Sequence, residues 1–167
     1  IDNDIYYVWY KNGTIHRDDD LPAVIETELA NFIWYKNGKI HREGDSPACI
    51  YNNGEYKEWR IYGKLHREGD LPAIVTESGL KEWWLDGKLF RLPGPEGEDY
   101  PVIVQGTRME WRSDPKTLHR SGNKPAIIDS HRMEWWRNGK RHRDDGPAIL
   151  NIGLEEWWNC GELHRDC

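Results

Sequence analysis

The chain has 167 residues, with ten Trp and eight Tyr beside only two Phe and two Met, and a formal net charge of -6. That is enough chain for one ordinary domain, with its apolar surface concentrated in large amphipathic rings. The acidic balance excludes a general nucleic-acid or anionic-membrane binder, whose main attraction is positive charge on phosphate, and no apolar run reaches the ~18–20 residues of a membrane helix.

The first predicted unit sets a pattern that the rest of the chain repeats. Tyr7-Val8-Trp9-Tyr10 reads as an aromatic strand and Asn12-Gly13 as a type I′ hairpin turn, which needs two residues at positive φ. His16-Arg17 follows, then the acidic connector Asp18-Asp19-Asp20, then the trio Pro22-Ala23-Val24. The same order returns around Trp34, Trp59, Trp83, Trp111, Trp135 and Trp157, at intervals of 22 to 28 residues. The fourth unit carries Phe90-Arg91 in place of His-Arg and an irregular insert, residues 92–100; the fifth replaces the tight turn with Ser113-Asp114-Pro115-Lys116-Thr117; the seventh stops before its trio.

Seven in-phase hairpins without a sustained 3.6-residue period predict an all-β fold. The expected architecture is an elongated, twisted single antiparallel meander of seven tandem β-hairpin repeats, 13–14 strands in one repeat domain over residues 1–167. The segment from His-Arg to the aliphatic trio is read as one long strand bent at the connector. Alternation makes Trp9, Trp34, Trp59, Trp83, Trp111, Trp135 and Trp157 the structural core, with the small Ala of each trio giving an indole room. Glu58, Glu82, Glu110, Glu134 and Glu156, just before a Trp, lie on the opposite face, where the residues just after the Trp form a half-exposed aromatic or Arg ladder.

The run Glu134-Trp135-Trp136-Arg137-Asn138-Gly139-Lys140-Arg141-His142 resembles the MORN repeat, and the units also resemble the divergent MORN-like repeats of large DNA viruses and phages. The resemblance implies a single sheet of successive hairpins, and a scaffold that is capsid-associated or engages a host where the protein is virus-encoded. Arg follows the His here, where the family has Gly.

Equivalent His residues two strands apart lie roughly 9–10 Å from one another, too far to share a zinc at ~2.0–2.1 Å. The His-Arg pairs are therefore read as structural, with Arg and the following carboxylates bracketing the bend. No hydrolase, phosphate-loop or zinc-protease motif is present, so the chain reads as a non-enzyme with no catalytic residues, cofactor or metal. Cys49, Cys160 and Cys167 lack metal spacing and are read as free thiols, although Cys160 and Cys167 flank the last hairpin. Three cysteines do not make a disulfide framework, which points to a reducing compartment, so an intracellular, cytoplasmic location is expected, or a virion for a viral protein. The interaction residues are Tyr10, Tyr35, Trp84, Trp136 and Trp158, a row of the kind protein interfaces enrich. A protein partner or self-association is the first expectation. The alternative is a small-molecule ligand, a nucleotide or sugar stacked on the Trp/Tyr and Arg row.

Overall fold

The structure, a computed structural model, describes residues 5–94 and 97–164. Its main ladder is a 14-stranded antiparallel meander of hairpins, and no α-helix occurs among the described residues. The backbone packs as two compact units divided after Lys88. In the first, strands Tyr6–Val8, Val24–Glu26, Asn31–Ile33, Cys49–Tyr51, Tyr56–Glu58, Ile74–Thr76 and Leu80–Glu82 are neighbours in chain order. In the second, Ile103–Gln105, Arg108–Glu110, Ile127–Ile128, Arg132–Glu134, Ile149–Asn151, Leu154–Asn159 and Glu162–His164 are.

Each repeat has two tiers, and the Trp is where the chain passes from one to the other. The Trp34 N–H donates to Ala48 O in the ladder at 2.9 Å, while the Trp34 carbonyl accepts from the His41 N–H at 3.0 Å. Trp9, Trp59, Trp111 and Trp135 make the same two bonds. Beyond Trp34 the chain forms a separate small hairpin, Tyr35–Lys36 with Lys39–Ile40. Its turn residues Asn37 and Gly38 have φ of 49° and 76°, the type I′ geometry. Tyr62 and Cys160 hold the Asn37 position with φ of 46° and 51°. Neither side chain favours that region, so the turn is imposed by the register on either side of it.

The expected long bent strand is instead two short strands and a turn. Thr14–Ile15 ends before His16, and the next strand begins at Val24. Between them Asp19 and Asp20 have φ of 61° and 52°, and Gly69 with Asp70 and Gly122 with Asn123 repeat that left-handed pair. Two successive left-handed residues reverse the chain, and Pro has no N–H to join a ladder.

Two rows of side chains make the core. On the indole face, Ala23, Ala48, Ala73, Ala126 and Ala148 are wholly buried, and five of the repeated Trp are buried to 9% exposure or less. Trp9 and Trp157, in the first and last described repeats, are half-buried. On the other face the register aligns Ile33, Cys49, Glu58 and Ile74 in one unit and Ile103, Glu110, Ile127, Glu134 and Ile149 in the other. Three of the five Glu residues therefore lie in the core, while Glu82 and Glu156 are half-buried. Glu58, Glu110 and Glu134 are only 8%, 7% and 5% exposed, because apolar side chains flank each of them across the ladder, Cys49 and Ile74 for Glu58 and two Ile for each of the others. Burial pushes the Cys49 thiol in this row up to about 12.

Trp59→Ala is expected to cost about 3–5 kcal/mol by leaving a cavity. Arg60→Ala should cost about 1–3 kcal/mol, by leaving the buried Glu58 carboxylate without its cation. Urea denaturation measures both, and equal losses would contradict the placement of the two side chains.

Candidate functional site

The conspicuous chemistry lies where one repeat meets the next. The Arg42 guanidinium lies over the Trp34 ring at 3.9 Å. Its Nε and Nη2 donate to the two oxygens of Asp20, in the preceding connector, at 2.8 and 2.7 Å, and its Nη1 donates to Pro47 O at 3.2 Å. The Trp34 Nε1–H donates to the backbone carbonyl of the same Asp20 at 2.9 Å. Arg120 repeats the whole arrangement on Trp111 and Asp99, and Arg67 repeats the stack on Trp59 and the fork on Asp45, although the buried Trp59 Nε1–H has no hydrogen-bond partner among the described residues. At Arg42, Arg67 and Arg120 the Arg–carboxylate bracket expected from sequence thus joins neighbouring repeats, whereas Arg143 turns to Asp145 just after it. Sequence reading also missed Asp99. It lies inside the irregular insert yet takes the place of Asp20 and Asp45, and only the Arg fork 21 residues on marks it. The hydrogen bond from Arg holds Asp20, Asp45 and Asp99 below the ordinary carboxylate value.

The His residues form a second link. The Nδ1 of His16, His41, His66, His119 and His142 accepts the backbone N–H of Asn37, Tyr62, Asp86, Asn138 and Cys160, the first turn residue of the next repeat, at 3.0–3.3 Å. That bond requires an unprotonated Nδ1. On the other side of the ring, Nε2 faces the residue two positions on, such as Asp18 from His16 at 3.0 Å. His41 is 7% exposed, and burial followed by the charge of Lys36 holds its pKa below 6.5. Among the described residues no group of three or more His, Cys, Asp or Glu side chains converges as a metal ion would need.

The expected interaction residues divide by what precedes the Trp. Tyr10 follows Val8 and Trp9 and is 66% exposed; Tyr35 follows Ile33 and Trp34 and is half-buried. Trp84, Trp136 and Trp158 are half-buried, and each indole N–H donates to the Glu two residues before it: Glu82 at 2.7 Å, Glu134 at 3.0 Å and Glu156 at 2.7 Å. Arg60 and Arg112 occupy the same position and pair with Glu58 and Glu110. In the second unit Arg141 sits between two of these rings, with its guanidinium carbon 5.2 Å from the Trp136 centroid and 5.1 Å from that of Trp158. A groove of about 470 Å³ opens there, lined by both indoles with Lys140, Arg141, Cys160 and Glu162. Cys49 and Cys160 are free thiols. Arg165 and Cys167, with the pairing of Cys167 to Cys160, lie outside the described residues, as do Pro95 and Glu96 of the insert.

Acid should loosen the repeats in two stages. Protonation of His41 is disfavoured in the fold, so the native state holds fewer protons there than the unfolded chain, and stability falls as pH drops below about 6.5. The lowered carboxylates contribute stability that is complete above about 3.9 and is lost as pH falls through their native values. Thermal melts from pH 8 to pH 3 measure both stages. His41→Gln should flatten the first and Asp45→Asn the second. Arg42→Lys, which loses the stacking and the fork together, should cost about 1–2 kcal/mol at pH 7.

Among the described residues no helix is long and apolar enough to cross a membrane. No family model, curated protein or solved structure matches the chain.

Proposed function

We propose that the chain is a non-enzymatic, MORN-like repeat scaffold that binds a protein partner, or a second copy of itself, through the residues just after the repeated Trp. The observation that carries this reading is the clamping of Trp84, Trp136 and Trp158 by Glu82, Glu134 and Glu156. A half-buried ring whose N–H is already held has little rotamer freedom left to lose on binding. Trp and Arg anchors of that kind dominate protein interfaces. The repeats also argue against catalysis. The same His, Arg and acidic groups recur at equivalent places, engaged with one another, whereas a reaction centre needs one unlike arrangement. The resemblance supplies the setting: an intracellular scaffold, or a virion component where the repeats are virus-encoded.

A small-molecule reading rests on the groove at Arg141. Two indole faces about a guanidinium suit a flat, anionic ligand such as a nucleotide, or a sugar face.

Trp136→Ser together with Trp158→Ser should weaken a protein complex by about 2 kcal/mol or more per anchor. The Trp135 core should keep the fold, as circular dichroism would report. Sedimentation of the pure chain tests self-association, and affinity capture with the intact chain against the double variant tests a foreign partner. A thermal-shift screen with nucleotides and sugars tests the ligand reading. Unchanged capture and sedimentation in the double variant would overturn the proposal.

A further inference from the structure

The turn of the last hairpin differs from its equivalents in one chemical respect. Its first residue is Cys160, where the earlier turns carry Asn37, Tyr62, Asp86 and Asn138. Like them, Cys160 gives its backbone N–H to the preceding repeat's His, here to His142 Nδ1 at 3.2 Å. The left-handed turn then brings the thiol over the same ring atom, with Sγ 3.7 Å from His142 Nδ1. The other ring nitrogen, Nε2, lies 2.8 Å from Asp144 Oδ1, and the Asn159 side-chain carbonyl lies 3.1 Å from Nδ1. The imidazole is 9% exposed, whereas Cys160 is exposed. A base oriented by a carboxylate on its far side and facing an accessible thiol is the arrangement that makes a sulfur nucleophilic. When the ring takes the thiol proton at Nδ1, the Cys160 backbone N–H gives up that acceptor, and the two N–H groups of the imidazolium donate to Asn159 and Asp144.

The thiol also has a place for a co-reactant. Cys160 lines the groove between Trp136 and Trp158, where Lys140 and Arg141 supply two positive charges and Glu162 one negative. Indole faces take an apolar stem, and the two cations take carboxylates. Cys49 offers no such chemistry, because it is wholly buried in the sheet.

We propose that Cys160 is a reactive thiol that undergoes exchange with small anionic disulfides, assisted by His142 and Asp144. His142 Nδ1 takes the proton from Cys160 Sγ. The thiolate attacks one sulfur of the disulfide, so that a protein–small-molecule S–S bond forms as the original S–S bond breaks. The departing thiolate takes the proton from His142 and leaves as a thiol. The Cys160 sulfur is oxidised, the departing half of the disulfide is reduced, and no other reactant is needed.

The test uses the full chain with Cys167→Ser, incubated at pH 7 with oxidised glutathione, an anionic disulfide, and followed by intact-mass and peptide mass spectrometry. One adduct should form, on Cys160. His142→Gln and Asp144→Asn should each slow it by about threefold or more, since the first removes the base beside the sulfur and the second the carboxylate that orients it. Lys140→Gln should slow oxidised glutathione but not cystamine, a cationic disulfide. Cys49 reports the fold, since an adduct there means unfolding, and Arg137→Gln, which removes the other partner of Asp144 and leaves His142 in place, controls for the loss of that ion pair in Asp144→Asn. With Cys49 silent, equal rates in the parent, His142→Gln and Asp144→Asn would overturn the proposal. So would an equal effect of Lys140→Gln on both disulfides as to the class of co-reactant.

Discussion

Arg42 lies flat on Trp34 and points every edge of its guanidinium at an acceptor, two on Asp20 of the preceding connector and one on Pro47 of its own. The rest of the repeat depends on that geometry. The stacked cation needs a ring that does not turn, and the ring is fixed by its own Nε1–H on the Asp20 carbonyl. One connector residue therefore holds the indole with its backbone and the guanidinium with its side chain. A Lys ammonium could satisfy the charge, but it is not planar and cannot stack and fork at once. The connector itself is held in place by Arg–Pro bonds such as Arg17 Nη1 to Pro22 O at 3.0 Å, so each latch presupposes the one before it. No single hairpin has both halves of the device, which is why stability in such a chain belongs to neighbours rather than to units.

The second tier follows from the first. Once the Trp carbonyl has been given to the His N–H, the chain beyond it has left the ladder and must find other partners. The small hairpin finds them in the preceding repeat, where Gly38 N–H reaches Ile15 O at 2.9 Å and Asn37 N–H reaches His16 Nδ1. The turn glycine is needed here for its positive φ, and at Gly87 an added Cβ would lie 3.6 Å from the Lys64 side chain, so the tier is also closely stacked. The residue after the Trp is then positioned by the residue before it. Where that residue is Glu, its successor is an N–H donor, Arg60, Trp84, Arg112, Trp136 or Trp158; where it is Val8 or Ile33, its successor is Tyr. A buried carboxylate needs a donor beside it, whereas Tyr10 and Tyr35 stand beside an aliphatic residue that asks for none.

The hairpins and the indole core were legible in the sequence because both rest on local chemistry. Asn-Gly announces a type I′ turn, and a Trp in phase with a distant Ala announces packing of large against small. The long bent strand was misread because the left-handed turn at Asp20 is held by contacts 14 and 22 residues away, with Trp34 and Arg42, which the local sequence does not announce. The burial of Glu58, Glu110 and Glu134 was hidden for a related reason. Alternation gives the face of a side chain, but only the cross-strand register shows that Ile74, Ile127 and Ile149 close over it. The Arg–Asp pairing was visible as composition and invisible as connectivity, since Arg42 and Arg67 have acidic connectors on both sides.

The fifth connector shows how much of the latch is geometry and how much is charge. Asn123 stands where the other latches have Asp, and its backbone carbonyl still accepts the Trp135 Nε1–H at 3.0 Å. Its side chain cannot accept a fork as a carboxylate does. Instead its amide donates to Asp145 at 2.6 Å, and Arg143, stacked 4.0 Å over Trp135, turns its Nε to the same Asp145 at 3.3 Å. The negative charge has moved from the preceding connector to the following one, and the link between repeats survives as Asn–Asp–Arg. Ring, cation and carbonyl are kept unchanged while the carboxylate changes its origin. The stacked geometry is thus the fixed element, and the anion is the part that neighbouring sequence is free to supply from either side.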